Sequence, residues 1–255
     1  MSFLTSIIDF IFKLMPQPAL TPDQIGNVKL VAHRGYHGNG IIENTLDSFI
    51  WCLENDIWGI EIDIHFTADN IPVVHHDPHC GRLFNKPHIL IARSRFEDLK
   101  SQIPDIPSLE EVVRICGKKI HLMIELKTHL NQEQNQIFSN ILSGLRSKVD
   151  YHILSLDLDH FRSVEFLKYD SFLPVAELKF RKFIKFAIEK QCAGVAGHYL
   201  LLSRSTKRRL SSSQINTGVG FIASKNSLKR EIRRNHDWIF TDKISRTSNW
   251  IKQLS

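Results

Sequence analysis

Histidines and acids stand at the polar ends of short apolar runs in the first half of this chain. The runs read VAHRG (His33, Arg34), GIEIDIHF (Glu61, Asp63), PVVHHD (His75, His76, Asp77) and LMIELK (Glu125, Lys127). Two imidazoles near neutral pH can serve as an acid and a base, which is what cleavage of a diester needs. Carboxylates brought together away from water repel one another unless a cation sits among them. An all-oxygen ligand set selects Mg²⁺ or Ca²⁺ over zinc. Arg34 and Lys127 are suited to phosphoryl oxygens, arginine by bidentate contact. Together these groups can hold a hard metal ion and a phosphate diester. Any one of the thirteen histidines taken singly reads as a surface or satisfied core residue. Two that each close a strand do not.

The elements that must position these groups alternate along the chain. Strands are expected at Lys29–His33, Trp58–Phe66, Pro72–His75, Lys119–Leu126, Tyr151–Leu156, Phe172–Ala176, Ala193–Ala196, Val219–Ala223 and Trp238–Thr241. Helices are expected at Thr45–Glu54, with Asn44 as its cap, and at Gln132–Arg146. Ser108 and Glu111 make a capping box for another. Repeated βα units imply a parallel sheet, and this many strands in 255 residues favour an α/β fold closed as a (β/α)₈ TIM barrel. No Gly-rich nucleotide turn supports an open sheet. The gap from Asp63 to Val73 is too short for a crossover helix, so the barrel is expected to be irregular, or hairpin-like, between strands 2 and 3. His79–Pro107 reads as a loop excursion over the barrel mouth.

Strand periodicity orients the acids. In Ile60-Glu61-Ile62-Asp63-Ile64 the isoleucines point one way and both acids the other, so Glu61 and Asp63 project together into the barrel. Met123, Glu125 and Lys127 share a face by the same rule. Glu125 and Lys127 alone read as an ion pair; their place at a strand's C-terminal end, where barrel active sites lie, makes them candidates.

The net charge of +6 favours anionic partners. Four scattered cysteines form no CxxC pair and no disulfide framework, which suits a reducing, cytoplasmic compartment. Membrane association and a periplasmic or secreted location are the alternatives. Residues 1–27 read as an N-terminal amphipathic helix and lead-in, and 28–255 as one catalytic barrel. The first segment, with Phe3, Ile7, Phe10, Ile11 and Leu14 at helical spacing, is too short to span a bilayer. It is expected to pack on the body; the alternative is peripheral membrane contact through residues 1–16. The basic stretches SRSTKRRL and SLKREIRR come with no reading motif, so nucleic acid is not expected as a partner. The sequence gives no oligomeric state.

HRG, ENT (Glu43, Asn44, Thr45), ExD, the T-x-D turn (Thr67, Asp69), HD, PSLEE and ExK occur in that order. In order and spacing they resemble the glycerophosphodiester phosphodiesterase family, over Val31 to about Thr128 and more loosely to FTD at Phe240–Asp242. The resemblance implies a TIM barrel and His33 and His76 as the acid/base pair. It implies Glu61, Asp63 and Glu125 as ligands of a divalent metal, Mg²⁺ or Ca²⁺, Arg34 and Lys127 as phosphate contacts, and Glu43 as a supporting acid. The family's HD dipeptide favours His76 over its neighbour His75. The chain departs from the family where RLFNKPHILIARS, IASKN and NHDWIFTD stand in place of its usual glycine-, threonine- and tryptophan-bearing stretches. Those parts shape the pocket for the alcohol.

The expected function is therefore metal-dependent hydrolysis of a small-molecule glycerophosphodiester to sn-glycerol 3-phosphate and an alcohol, a step of glycerol and lipid metabolism. Two alternatives stand beside it. One is lysophospholipase D-like or phospholipase-like activity on lipids, motivated by the apolar N-terminus, the basic charge and the aromatic-rich middle. The other is a non-catalytic phosphodiester-binding protein, against which the complete set of candidate groups argues.

Overall fold

The computed structural model describes residues 10–254 apart from 178, 179 and 223. A short helix, α1 (Pro22–Gly26), is held by a capping box between Thr21 and Gln24 and leads into β1 (Leu30–His33). Helix α2 (Leu46–Glu54) returns the chain to β2 (Gly59–Phe66), parallel to β1. Strand β3 (Pro72–Val74) then folds back antiparallel on β2 through the Thr67–Asn70 turn, where Thr67 Oγ1 donates to Asp69 Oδ1 at 2.7 Å. The expected hairpin-like irregularity thus lies between the second and third barrel strands.

The segment read as a loop excursion is a small folded unit. β4 (His79–Cys80), the short helix α3 (Gly81–Phe84) and β5 (Lys86–Leu90) form a hairpin. Helix α4 (Phe96–Gln102) follows. These elements close over their own core of Val73, Cys80, Ile89, Ile91, Leu99, Ile103 and Ile106. The apolar residues that build it are spaced irregularly, so neither helical nor strand periodicity marks them in the sequence.

Helix α5 (Leu109–Cys116) starts at the Ser108/Glu111 capping box as expected and feeds β6 (His121–Leu126). The remaining units are α6 (Gln132–Leu142), β7 (Tyr151–Ser155), β8 (Phe172–Ala176), α7 (Phe180–Lys190), β9 (Gly194–His198), α8 (Arg204–Ser212), β10 (Asn216–Gly220), α9 (Lys225–Arg233), β11 (Trp238–Thr241) and α10 (Ile244–Lys252). Strands β1, β2 and β6–β11 pair in parallel all round, and β11 against β1 closes an eight-stranded barrel.

Alternation along the strands divides the core in two. Ile60, Ile62 and Ile64 join the apolar layer between barrel and helices. Val31, Met123, Leu154, Leu173, Ala196 and Trp238 fill the barrel axis below the acids. Every residue of β2 and β6 is buried.

Three element boundaries differ from expectation. Thr45, not Asn44, caps α2 by accepting from the Ser48 N–H; the Asn44 side chain is spent on Asp63. Helix α6 stops at Leu142, capped by Ser143 ahead of Gly144. Strand β10 lies three residues earlier than read, because Thr217, Gly218 and Gly220 carry little apolar signal. At the N-terminus residues 10–14 are helical, but the stripe expected to pack inward does not: Phe10, Ile11 and Leu14 are exposed. Phe12 packs instead, against Tyr199 and under the Arg230 guanidinium. The rest of that stripe, Phe3 and Ile7, lies outside the described residues. No helix among the described residues is long and apolar enough to cross a membrane.

Candidate active site

The C-terminal ends of the barrel strands open into one cavity of about 800 Å³. His33, Arg34, Glu43, Glu61, His76, Glu125 and Lys127 all line it. Asp63 lies beneath them, fully buried.

Glu61, Asp63 and Glu125 offer ligand oxygens within 4.8 Å of one another. Register puts Asp63 beside Glu125 on adjacent strands and Glu61 two residues back on the same face. Burial pushes the Glu61 carboxyl up from the ordinary range, and neighbouring Asp63 adds to it. Burial raises Glu125 too. Burial also acts to raise Asp63, but Lys127 and Arg34 outweigh it and hold that carboxyl below its usual range. The Lys127 ammonium sits 2.8 Å from Asp63 Oδ1 and also contacts Glu125. Glu61 Oε1 is buried without a hydrogen-bond partner. An orphaned carboxylate oxygen within a trio of buried acids fits a hard divalent cation, and the donor set is all oxygen.

The turn after β1 makes the approach possible. Arg34 adopts φ 59° and Gly35 φ 73°, which turns the Arg34 N–H onto Glu61 Oε2 at 3.1 Å. A side chain at Gly35 would run into Ser48 and the Phe49 ring, in a backbone region that L-residues avoid. The Arg34 guanidinium reaches Glu43 Oε1 at 2.9 Å and Asp63 Oδ2 at 3.4 Å.

Each candidate histidine has a carboxylate at its Nδ1. His33 Nδ1 lies 2.5 Å from Asp242 Oδ1, and its Nε2 lies 3.7 Å from Glu61. Burial works to lower the His33 pKa, but Glu61 and Asp242 outweigh it and hold it up at about 9. His76 Nδ1 lies 2.7 Å from Asp77 Oδ1. Burial keeps His76 below the ordinary imidazole value despite Asp63 and Asp77. Such carboxylates fix the tautomer and the ring orientation. His75 points elsewhere: it is buried, donates from Nε2 to the His79 carbonyl at 3.3 Å, and packs against Phe84.

Four site residues escaped the sequence reading. Asp242 was seen only as part of a loose FTD match. Arg82, at the start of the excursion, donates to Asp77 Oδ2 and Glu43 Oε1, both at 2.7 Å, and so ties the His76 carboxylate to the Arg34 carboxylate. His65, next inward position on β2, donates to the His76 carbonyl at 3.0 Å. Asn44 donates to Asp63 Oδ2 at 2.8 Å. Asn44 and His65 carried a positional signal, the ENT motif and the period-two face; Arg82 and Asp242 depend on contacts between distant segments.

Residues 33–150, a little under half of the chain, match the model of the glycerophosphoryl diester phosphodiesterase family. It is similar to glycerophosphodiester phosphodiesterase 1 of Homo sapiens, 29% identical over 177 residues, covering 58% of this chain and 53% of that protein. The glycerophosphodiester phosphodiesterase of Bacillus altitudinis is 30% identical over 145 residues, covering 52% of this chain and 54% of that one. The chain thus spans about half the length of the curated relatives it matches. Among solved structures, a glycerophosphodiester phosphodiesterase of Thermotoga maritima superposes with a TM-score of 0.74 at 22% identity, covering 89% of this chain and 98% of its own. An Oleispira antarctica phosphodiesterase, solved in complex with the product sn-glycerol-3-phosphate, has a TM-score of 0.73 at 19% identity and covers 88% of this chain and 96% of its own. These likenesses show the fold, the TIM barrel.

Proposed function

We propose that this chain is a metal-dependent glycerophosphodiester phosphodiesterase, with residues 28–255 as its catalytic unit. One observation carries the reading: two carboxylate-bound histidines with opposed pKa shifts face the same cavity as a buried trio of acids. Groups whose environments push their pKa values apart take the acid and base roles. His33, held protonated, donates to the leaving oxygen. His76, held neutral, accepts the proton of the attacking hydroxyl. One P–O bond forms to the attacker as the P–O bond to the alcohol breaks, giving sn-glycerol 3-phosphate and the alcohol. The attacker is water, or the neighbouring glycerol hydroxyl through a cyclic phosphate that water then opens.

Arg34 and Lys127 orient the phosphoryl group, and Glu43 supports Arg34. Glu61, Asp63 and Glu125 would hold Mg²⁺ or Ca²⁺, which supplies charge neutralisation on the phosphoryl oxygens when bound. A small-molecule diester is the partner this cavity supports. The Oleispira structure with its bound product supports the choice of a glycerol phosphate half. Peripheral membrane contact rests, among the described residues, on exposed Phe10, Ile11, Leu14 and Met15.

Purified protein with Mg²⁺ or Ca²⁺ is expected to release ethanolamine or choline and glycerol 3-phosphate from glycerophosphoethanolamine or glycerophosphocholine. His33→Ala and His76→Ala are each expected to abolish it. Activity that survives both changes, or that ignores chelation, overturns the assignment.

A further inference from the structure

The positive charge of this chain is gathered in one sector of the barrel. Residues 180–252, which build α7 to α10, carry sixteen Lys and Arg against four Asp and Glu, a net +12; the rest of the chain is a net −6. The four acids are engaged within the fold. Glu231 is buried against Arg230, Arg234 and His236. Glu189 pairs with Lys185, Asp237 Oδ2 accepts the Thr217 N–H, and Asp242 meets His33. Among the described residues, most cations of the sector are therefore left without an acid.

The helix starts carry the same bias. An acid in the first turn suits the helix dipole, and a cation there opposes it. Helices α2, α4, α5 and α6 each have an acid in that turn; α7 to α10 have none. Instead α8 begins at Arg204, α9 begins at Lys225, and Lys243 stands at the N-cap of α10. Each of these helices follows the C-terminal end of a barrel strand, so their first residues stand round the active-site mouth. An anion outside the chain would offset the cost of holding cations there.

An uncovered apolar segment lies in the same sector. Residues 10–14 are helical and dock at the mouth end of α9, where Asn226 Nδ2 donates to the Lys13 carbonyl at 2.8 Å. Phe12 faces inward, with its ring 6.2 Å from the Tyr199 ring and 4.2 Å from the Arg230 guanidinium. Phe10, Ile11, Leu14 and Met15 are 47–62% exposed, and the Lys13 side chain is exposed among them. Leu201, two residues after Tyr199, is exposed in the loop between β9 and α8. A helix apolar on every side belongs where every side is covered; here the fold covers only the side of Phe12.

We propose that this sector of the mouth is a docking surface for an anionic phospholipid bilayer. Residues 10–15 enter the interface with their apolar side, and Lys13, Arg204, Lys225 and Lys243 meet lipid phosphates. The cavity then opens at the membrane plane. The surface extends the peripheral contact proposed above and names its partner. A nucleic acid would match the cations but leave Phe10, Ile11, Leu14 and Met15 in water. A neutral bilayer would cover those side chains but leave the cations unmatched. An anionic bilayer satisfies both.

The test is co-sedimentation of the full chain with vesicles of phosphatidylcholine alone and of phosphatidylcholine with one-quarter phosphatidylglycerol. Binding is expected to the second, and it should weaken as salt rises. A basic residue near an anionic membrane is worth about fivefold in affinity, so Arg204→Gln and Lys225→Gln should each weaken binding about fivefold. Ile11→Asp and Leu14→Asp should each weaken it roughly tenfold or more. The double substitution Lys118→Gln with Lys119→Gln removes charge at the opposite end of the barrel, before β6, and should leave binding unchanged. Hydrolysis of glycerophosphoethanolamine should continue at the parental rate in all of them, and circular dichroism confirms that each is folded. Equal loss from the Lys118 and Lys119 pair shows that net charge and not this surface drives binding, and overturns the proposal. So does equal binding to both vesicles, and so does absence of vesicle binding, whether or not a DNA duplex or an RNA is bound instead. Sedimentation needs no catalysis, so the two readings fail separately. Vesicle binding without hydrolysis of any diester overturns the phosphodiesterase reading alone; hydrolysis without vesicle binding overturns the docking surface alone.

Discussion

Asp242→Asn tests whether the His33 carboxylate does what the geometry implies. The substitution keeps the shape and a hydrogen-bonding oxygen, and removes the charge 2.5 Å from His33 Nδ1. A hydrogen bond between charged partners is worth roughly 1.5–3 kcal/mol. The Asp242 side chain is 46% exposed, so solvent screening places this one at the lower end, about 1.5 kcal/mol. That corresponds to about one pKa unit and roughly a tenfold change in rate. With the charge gone, burial has less opposing it, so the His33 pKa falls from about 9. In the proposed reaction His33 acts as the acid and must be protonated, so activity is lost above its pKa. The alkaline limb of kcat/KM against pH should therefore move about one unit lower, so that activity above the parent's limb falls about tenfold while activity at neutral pH, where His33 stays protonated, changes little. The acid limb, set by His76, should stay in place. The assay is release of glycerol 3-phosphate from glycerophosphoethanolamine between pH 5 and pH 10. A variant with an unmoved alkaline limb refutes the reasoning.

Three further outcomes are expected. Arg82→Met frees Asp77 and Glu43 together and should lower kcat roughly tenfold, with Arg82→Lys restoring part of it; steady-state kinetics checks this, and an unchanged kcat refutes the coupling. Metal affinity, followed by isothermal titration, should weaken as pH falls, beginning well above the ordinary glutamate value of 4.5, because burial raises the Glu61 pKa and its proton competes with the cation; Glu61→Gln should remove most of that pH dependence. Stability should fall between pH 6.5 and about pH 4 through His121 and His152. Burial holds them at about 4 and about 3, so the unfolded chain binds more protons in that window and stability rises with pH across it. His121 Nδ1 donates to the Val149 carbonyl, which leaves Nε2 to accept from His152 Nδ1 at 2.8 Å; protonation of the pair sets two N–H groups face to face. Denaturant melts at pH 7.5 and pH 5 should differ less in His152→Leu than in the parent.

Much of the site was legible because its signals are local. The period of a strand put Glu61 and Asp63 on one face and the isoleucines on the other, and in the fold the isoleucines pack in the layer between barrel and helices while the acids gather inside the barrel. The Ser108/Glu111 box announced α5, and the short Asp63–Val73 gap announced the antiparallel β3. What was missed depends on packing between distant segments. Asn44 looked like a helix cap until Asp63, brought beside it by the β1–β2 pairing, claimed its side chain. The stripe of Phe10, Ile11 and Leu14 was assigned an inward face by spacing alone, but which face meets the body depends on where Tyr199 and Arg230 stand. The folded unit at His79–Gln102 gave no periodic signal because its core is made of scattered single residues.

By itself, then, the sequence determined the order of βα units, the inward face of each acid and the pairing of residue types suited to a phosphate diester and a hard cation. These follow from short-range stereochemistry. Only the tertiary structure decided the rest. Closure of β11 on β1 set Asp242 against His33, 209 residues away in the chain, and gave that imidazole a carboxylate partner at Nδ1. Folding of the excursion set Arg82 between Asp77 and Glu43. The same closure set the apolar ends of β7–β10 across from the carboxylates, because a barrel brings all its strand ends to one mouth regardless of their distance in sequence.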